Sequence, residues 1–340
     1  MLAPDRALTV VWRTGSRMNR IMAMVVMIYG AGSVGLGLAS CLLKARAELD
    51  LIDNEGIAAS LREHGLQRTG IFGDIHAYPS EFQSCSSLSC LSHRQYDYIL
   101  VCTKSFDSHE AAKDLADHKH LIGANTRIVI CQNGWGNAEV FTALFRREQV
   151  YNARIITGFQ RLNNHTVVVT VHADAIRVGN LFGFGSSCVK QLCKSITEGG
   201  IPCEVTDEIG KYLWDKMLYN CALNPLGALL DVTYGALAES QSTRHIMDHI
   251  VREVFSVMTA AGYETHFQTP EAFLEVFYDK LVPDTAEHRS STLQDIKAGR
   301  RTEIEALNGA VIELAKTHGI DAPYNSVLFH LVKSLEARNL

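Results

Sequence analysis

No basic tract interrupts this chain, and its net charge is −5. That argues against nucleic acid or an anionic membrane as the main partner. No apolar run reaches the ~20 residues of a membrane span. The 9 cysteines are scattered, odd in number and include no CxxC pair. They read as reduced thiols in a cytoplasmic compartment, not as a disulfide framework or a zinc site. No His/Cys/Asp cluster has ligand spacing, so no metal is expected, and no internal repeat is visible. What remains is an ordinary globular composition, 47% hydrophobic and 20% charged, over 340 residues. That length allows two domains and a large core.

The most informative stretch is VVMIYGAGSVG, Val25 to Gly35. A short apolar strand turns on Gly30-Ala31-Gly32-Ser33-Val34-Gly35 into the helical pattern LGLASCLLK. The first glycine makes the tight turn, the second admits a pyrophosphate, and the third lets helix and strand pack closely. The helix N-terminus then offers free N–H groups to the phosphates. Asp53 stands 18 residues past the last glycine, where an acid meets the adenosine ribose. Strand, glycines, helix and acid together predict dinucleotide binding.

Residues 1–23 carry Arg6, Arg13, Arg17 and Arg20 against one acid, Asp5. They read as an extension, disordered or upstream of a true start at Met24 or Met27, with a transit peptide as the alternative. Residues 24–206 alternate strands and helices, the signature of a Rossmann-type, doubly wound α/β domain. The strands fall at Met24–Tyr29, Leu49–Asp53, Tyr98–Cys102 and Arg127–Cys131, with helices at Ser33–Lys44 and Asp107–His118. The polar segment Ser80–Gln95 reads as a surface excursion. Val150–Thr157, Thr166–Val171 and Ala175–Val178 read as antiparallel strands, with a hairpin at Asn163-Asn164. A helix at Ser187–Glu198 and a strand at Pro202–Val205 close this domain. From 207 to 340 the period is helical, which predicts an all-helical C-terminal domain capping the nicotinamide end of the sheet.

Within WDKMLYNCALNP, Lys216, Asn220 and Asn224 stand four residues apart and share one helix face. Amides are poor in helix interiors, so this stripe in an apolar setting reads as a polar wall facing the nicotinamide with Lys216 as the acid, a solvated face being the ordinary alternative. In SSTLQDIKAGRRTEIEALNG, Ser291 with Gln294 fits a capping box, and the same helix start suits a carboxylate ligand. Glu303 reads by default as an exposed helix glutamate, and Asp295 as a structural contact. Lys104 and Asn133 each follow a parallel strand, where a cofactor would lie; a solvated lysine and a plain Asn-Gly turn are their ordinary alternatives.

Taken together, GAGSVG, VCTKSFD, QNGWGN, LWDKMLYNCALNPLGALL and the Ser291–Glu303 segment resemble the ketopantoate reductase (2-dehydropantoate 2-reductase) family over about residues 24–335. The resemblance implies an NAD(P)-dependent oxidoreductase of pantothenate biosynthesis, reducing a small-molecule 2-keto acid, with dimers common among relatives. It also implies catalytic roles for Lys216, the general acid, and Glu303, which helps hold the substrate's hydroxyl end. Asn220, Asn224 and Ser291 then bind substrate, Ser291 at its carboxylate. Lys104 and Asn133 lie near the nicotinamide and its ribose.

Two positions depart from the family pattern. Asn54 stands where an arginine usually meets the 2′-phosphate of NADP, beside Asp53, which accepts from a ribose diol and repels a phosphate. The cofactor is therefore NADH or NADPH with a lean to NADH, unless Arg62, Arg68 or Lys104 supplies the missing charge. Tyr234 replaces a further substrate amide, which suits an aryl or branched 2-keto acid. The rivals are an NAD-linked D-2-hydroxyacid dehydrogenase and a non-catalytic nucleotide sensor.

Overall fold

The structure, a computed structural model, describes residues 24–91 and 94–339, so the expectations for residues 1–23 lie outside the described residues. The chain opens with β1 (Val25–Tyr29), α1 (Ser33–Lys44), β2 (Glu48–Ile52), α2 (Glu55–His64), β3 (Leu66–Gly70), β4 (Ile75–Ala77) and β5 (Gln83–Cys85). It continues with β6 (Tyr98–Val101), α3 (Ser108–Asp117), β7 (Arg127–Ile130), α4 (Asn137–Thr142) and β8 (Val150–Arg154). Then come β9 (Thr157–Arg161), β10 (Thr166–His172), β11 (Ile176–Gly179), α5 (Lys190–Glu198) and β12 (Cys203–Val205).

An eight-stranded sheet runs in the order β12-β11-β8-β7-β6-β1-β2-β5. From β5 to β8 every pairing is parallel, and β11 alone meets its neighbour β8 antiparallel. The central strands are apolar throughout because helices cover both faces. Val26 and Ile28 pack into one apolar cluster with α1 and α5, while Met27, Ile99 and Val101 pack into another with α3. Alternate residues of a strand feed opposite cores.

Two expectations are corrected and one sheet is new. Val150–Thr157 is not one strand: β8, antiparallel to β11 as expected but parallel to β7, stops at Arg154, and β9 belongs to another sheet. That four-stranded sheet, β4-β3-β10-β9, was not foreseen, because LQRTG reads as polar although Arg68 within it is fully enclosed. The Ser80–Gln95 stretch is not simply a surface excursion, since β5 within it pairs with β2 and buries Ser84 and Cys85. The hairpin at Asn163-Asn164 joins β9 to β10.

Residues 209–339 contain no strand. They hold α6 (Ile209–Leu230), α7 (Tyr234–Glu239), α8 (Gln241–Ala260), α9 (Pro270–Val276), α10 (Ser291–Lys297), α11 (Ala310–His318) and α12 (Pro323–Asn339). At 22 residues, α6 is about 33 Å long and forms the spine of this part. Trp214, Leu218, Cys221 and Leu223 on it are fully enclosed by the surrounding helices. No described helix is long and apolar enough to cross a membrane.

Candidate active site

The turn between β1 and α1 is shaped for a phosphate ligand. Gly30 sits at φ +102, and a Cβ there would lie 2.6 Å from the Thr103 nitrogen. Gly35 packs so closely that its Cβ would lie 2.0 Å from the Gly30 oxygen. At Gly32, by contrast, nothing lies within 4 Å. Ala31 is buried, and Ser33 and Val34 open α1 with neither a side-chain cap nor an acid in its first turn. The amide edge and open space above Gly32 fit a dinucleotide's diphosphate.

Asp53 ends the second strand, half-buried. Burial raises its pKa, and N–H donors from Asn54 and Ala31 together with the charge of Arg161 oppose that without cancelling it. Asn54 is occupied at both ends of its amide. Its Nδ2 donates to Asp53 Oδ1 at 2.8 Å, and its Oδ1 caps α2 at the Ile57 nitrogen, 3.2 Å away. None of the three compensating cations reaches this point. Arg62 pairs with Glu55, Arg68 is enclosed against Ser40, Gly199 and Phe72, and Lys104 turns to Asp295.

At the other end, the carboxyl ends of β6 and β7 meet the helical part. Lys216 Nζ donates to Asn133 Oδ1 at 2.6 Å and to the Ile155 carbonyl at 2.5 Å. Asn133 Nδ2 donates to Glu303 Oε2 at 3.1 Å, and Glu303 Oε1 accepts from the Ser105 nitrogen at 3.0 Å. Lys104 Nζ lies 2.6 Å from Asp295 and 3.6 Å from Glu303. Burial alone would lower the Lys104 pKa, but the two carboxylates outweigh it and the net shift is upward. Glu303 is thus a buried carboxylate with one N–H donor on each oxygen, not an exposed helix residue.

Backbone geometry locks this contact. Before α11 the chain makes a wide turn in which the Gly309 nitrogen reaches back to the Ile304 carbonyl. The Ala306 carbonyl accepts from the Trp135 nitrogen at 2.9 Å. Gly134 passes so close, at φ +90, that a Cβ would lie 2.3 Å from that carbonyl oxygen. The Asn133 loop and the Glu303 segment are therefore seated directly on each other.

Burial, then the charge of Arg154, push the Lys216 ammonium down to about 8, with Glu303 pulling the other way. Arg154, Lys216, Asn133, Gly134, Leu213 and Asn220 line one narrow cleft. The buried Asn220 side chain makes no hydrogen bond to another described residue. Asn224, also buried, accepts at Oδ1 from the Tyr234 hydroxyl at 2.6 Å, leaving its NH₂ without a partner among the described residues. The α10 cap is Ser290, whose hydroxyl accepts from the Leu293 nitrogen, and not Ser291. Ser291 is the first helical residue, and its hydroxyl is unclaimed by the described chain. A wider groove beside Gly235, Arg244 and Tyr278 includes none of these groups.

Sequence reasoning missed Arg154. It ends β8, 5% exposed, with Nη2 on Asp174 at 2.7 Å, the guanidinium 4.9 Å from the Tyr212 ring, and Nη1 unpaired. Its one signal was an arginine inside an apolar run. Asp295 was read as structural and proves to be the closer partner of Lys104.

A glycine-turned Rossmann sheet followed by a helical region, with a lysine and carboxylates where they meet, defines a nicotinamide-dinucleotide oxidoreductase. The chain matches the family model "Ketopantoate reductase PanE/ApbA" over residues 26–182 and its C-terminal counterpart over residues 208–336. It belongs to that family. A 2-dehydropantoate 2-reductase of Aquifex aeolicus (strain VF5) is 35% identical over 320 residues, spanning 94% of this chain and 99% of that protein. Among solved structures, a PanE/ApbA family ketopantoate reductase from Ralstonia eutropha JMP134 is 26% identical with a TM-score of 0.80, covering 93% of this chain and 99% of that one. A D-mandelate dehydrogenase solved with NADH and anilino(oxo)acetate is 25% identical with a TM-score of 0.82, over the same shares of the two chains.

Proposed function

We propose that this chain reduces a 2-keto acid to the 2-hydroxy acid with NAD(P)H, and that 2-dehydropantoate, the substrate named for its relatives, is the keto acid. The observation that carries the reading is Lys216, held at about 8 and anchored between Asn133 and the Ile155 carbonyl at the edge of the cleft. The nicotinamide supplies the hydride. Negative charge then grows on the substrate's carbonyl oxygen, and Lys216 stabilises it and delivers the proton. Asn133 aims the ammonium. Asn220 and the free NH₂ of Asn224 orient the substrate oxygens. Ser291, at the start of α10, receives the carboxylate. Glu303, fixed by Asn133 and the Ser105 nitrogen, holds the hydroxyl end. Lys104 and Asn133 border the nicotinamide ribose, and Asp53 accepts from the adenosine diol, which favours a kcat/KM for NADH at or above that for NADPH.

A second reading has one observation in its favour. Tyr234 is buried against Asn224 and fills space with an aromatic ring, which suits an aryl or branched keto acid. The D-mandelate dehydrogenase neighbour, solved with NADH, agrees with it. A steady-state screen of 2-dehydropantoate, phenylglyoxylate and branched 2-keto acids with NADH and NADPH in parallel decides. Preference for 2-dehydropantoate supports the first reading, and preference for phenylglyoxylate the second. Turnover of no keto acid overturns both.

A further inference from the structure

The adenosine end contains one cation that belongs to none of the sequence motifs. The cations expected near Asp53 are engaged elsewhere: Arg62 on Glu55 and the Ser84 carbonyl, Arg68 beneath the second sheet, Lys104 on Asp295. The Arg161 side chain has no hydrogen bond or ion pair to another described residue.

Its placement follows from the hairpin that carries it. β9 lies across α1, and the Phe159 ring occupies the space over Gly37, where a Cβ would come within 2.3 Å of it. Residues two apart on a strand share a face, so Arg161 leaves β9 on the side of Phe159, while Gln160 between them is exposed. Beyond the strand, the turn is tied to the start of α2. Asn164 Nδ2 donates to the Gly56 carbonyl at 3.2 Å, and the His165 ring shares a 2.8 Å hydrogen bond with the Ser60 hydroxyl. Arg161 thus stands between an anchor on α1 and an anchor on α2, over the carboxyl end of β2. Its charge is felt by the Asp53 carboxylate.

We infer that Arg161 is the residue through which this chain accepts a 2′-phosphate on the adenosine ribose, the choice of nucleotide being set by an opposed pair: Asp53 for the free diol, Arg161 for the phosphomonoester. A phosphate carrying nearly two negative charges cannot settle beside Asp53 without a compensating cation. A guanidinium offers that charge with fork-shaped donors matched to phosphate oxygens. The charge is delivered across the site from a hairpin of the second sheet. The inference rests on the dinucleotide reading above.

The test is calorimetric titration of the full chain, without substrate, with 5′-AMP and with adenosine 2′,5′-bisphosphate. Arg161→Gln is expected to weaken the bisphosphate at least about tenfold and to leave 5′-AMP within about twofold, the scale of a hydrogen bond to a charged group. Arg161→Lys retains part of the bisphosphate affinity. Asp53→Asn acts oppositely, tightening the bisphosphate. Raising salt from about 50 to 500 mM weakens the bisphosphate on the wild type more than on Arg161→Gln. Unchanged bisphosphate affinity in Arg161→Gln overturns the inference. So does equal loss of both ligands, which would make the arginine a support of the hairpin. Failure of the wild type to bind either ligand would instead overturn the nucleotide reading itself.

Discussion

Lys216 and Asn133 are joined by a 2.6 Å hydrogen bond from ammonium to carboxamide oxygen, across 83 residues of sequence. Because the other end of that amide donates to Glu303, the carboxamide cannot flip without breaking both contacts. The lysine is thereby aimed as well as held. Replacing Asn133 with Ala should lower kcat for reduction, at saturating nucleotide, by about one to two orders of magnitude, the scale expected when a proton donor loses its alignment. Unaltered kcat in this variant would remove the bridge from the mechanism.

Lys216→Ala should lower kcat by about 10²-fold or more, as loss of a general acid does. Nucleotide affinity, measured by fluorescence titration, should stay near the wild-type value. Single-turnover hydride transfer at the wild-type rate would exclude Lys216 as the donor.

The pH profile follows from the lowered Lys216 pKa. With Lys216 as the proposed proton donor, reduction requires the ammonium, which is present below about pH 8 and lost above it. kcat for reduction should therefore be level below that pH and decline as pH rises through it. Oxidation of the hydroxy acid requires the neutral amine and should rise through the same range. Arg154 pushes the ammonium down and Glu303 supports it. Arg154→Gln should move the limb to higher pH, and a limb that stays in place would show that burial alone sets it.

Ser290 and Ser291 separate stability from binding. Ser290 caps α10 and also donates to the Asn224 carbonyl at 3.1 Å. Ser290→Ala should cost about 0.5–2 kcal/mol, read as a lower Tm or denaturant midpoint. Ser291→Ala should leave stability unchanged and raise KM for the keto acid. The opposite pattern would return Ser291 to a purely structural role.

Asp53→Ser with Asn54→Arg should shift the NADPH/NADH ratio of kcat/KM toward NADPH, since a charged contact to phosphate replaces a repulsive one. The same change removes the α2 cap, so a stability loss of about 1 kcal/mol should accompany it. A wild-type preference of about a hundredfold for NADPH would show that charge other than residue 54 already controls the choice.

The parts legible in the sequence are those written in local pattern. The glycine turn after β1 and the apolar parallel strands follow from residue type and period. The four-residue spacing of Lys216, Asn220 and Asn224 places them on one face of α6 by arithmetic alone. What was not legible depends on distant partners. Arg154 and Arg161 are single arginines in strands, and their significance lies in what folds against them. Asp295 became informative only beside Lys104. LQRTG reads as polar because Arg68 finds its hydrogen bonds in carbonyls as far away as Gly199. With two adjacent serines, a serine cap was foreseen one residue off in position, and the reciprocal Gln294 contact of a capping box is not formed, Gln294 donating instead to the Arg289 carbonyl.

The seating of Lys104 on Asp295 spans 191 residues, and this has a consequence for how the protein is made. At about 5–20 residues per second, roughly 10–40 s separate synthesis of the lysine from synthesis of its acid. Throughout that interval the nascent sheet carries a Lys104 without Asp295 and, once it is made, an Asn133 without Glu303 to accept from its amide. The nucleotide cradle is complete long before the chemistry is. Translation itself therefore orders events: a ribosome-bound chain acquires its cofactor end first and becomes a reductase only when its last helices have been released.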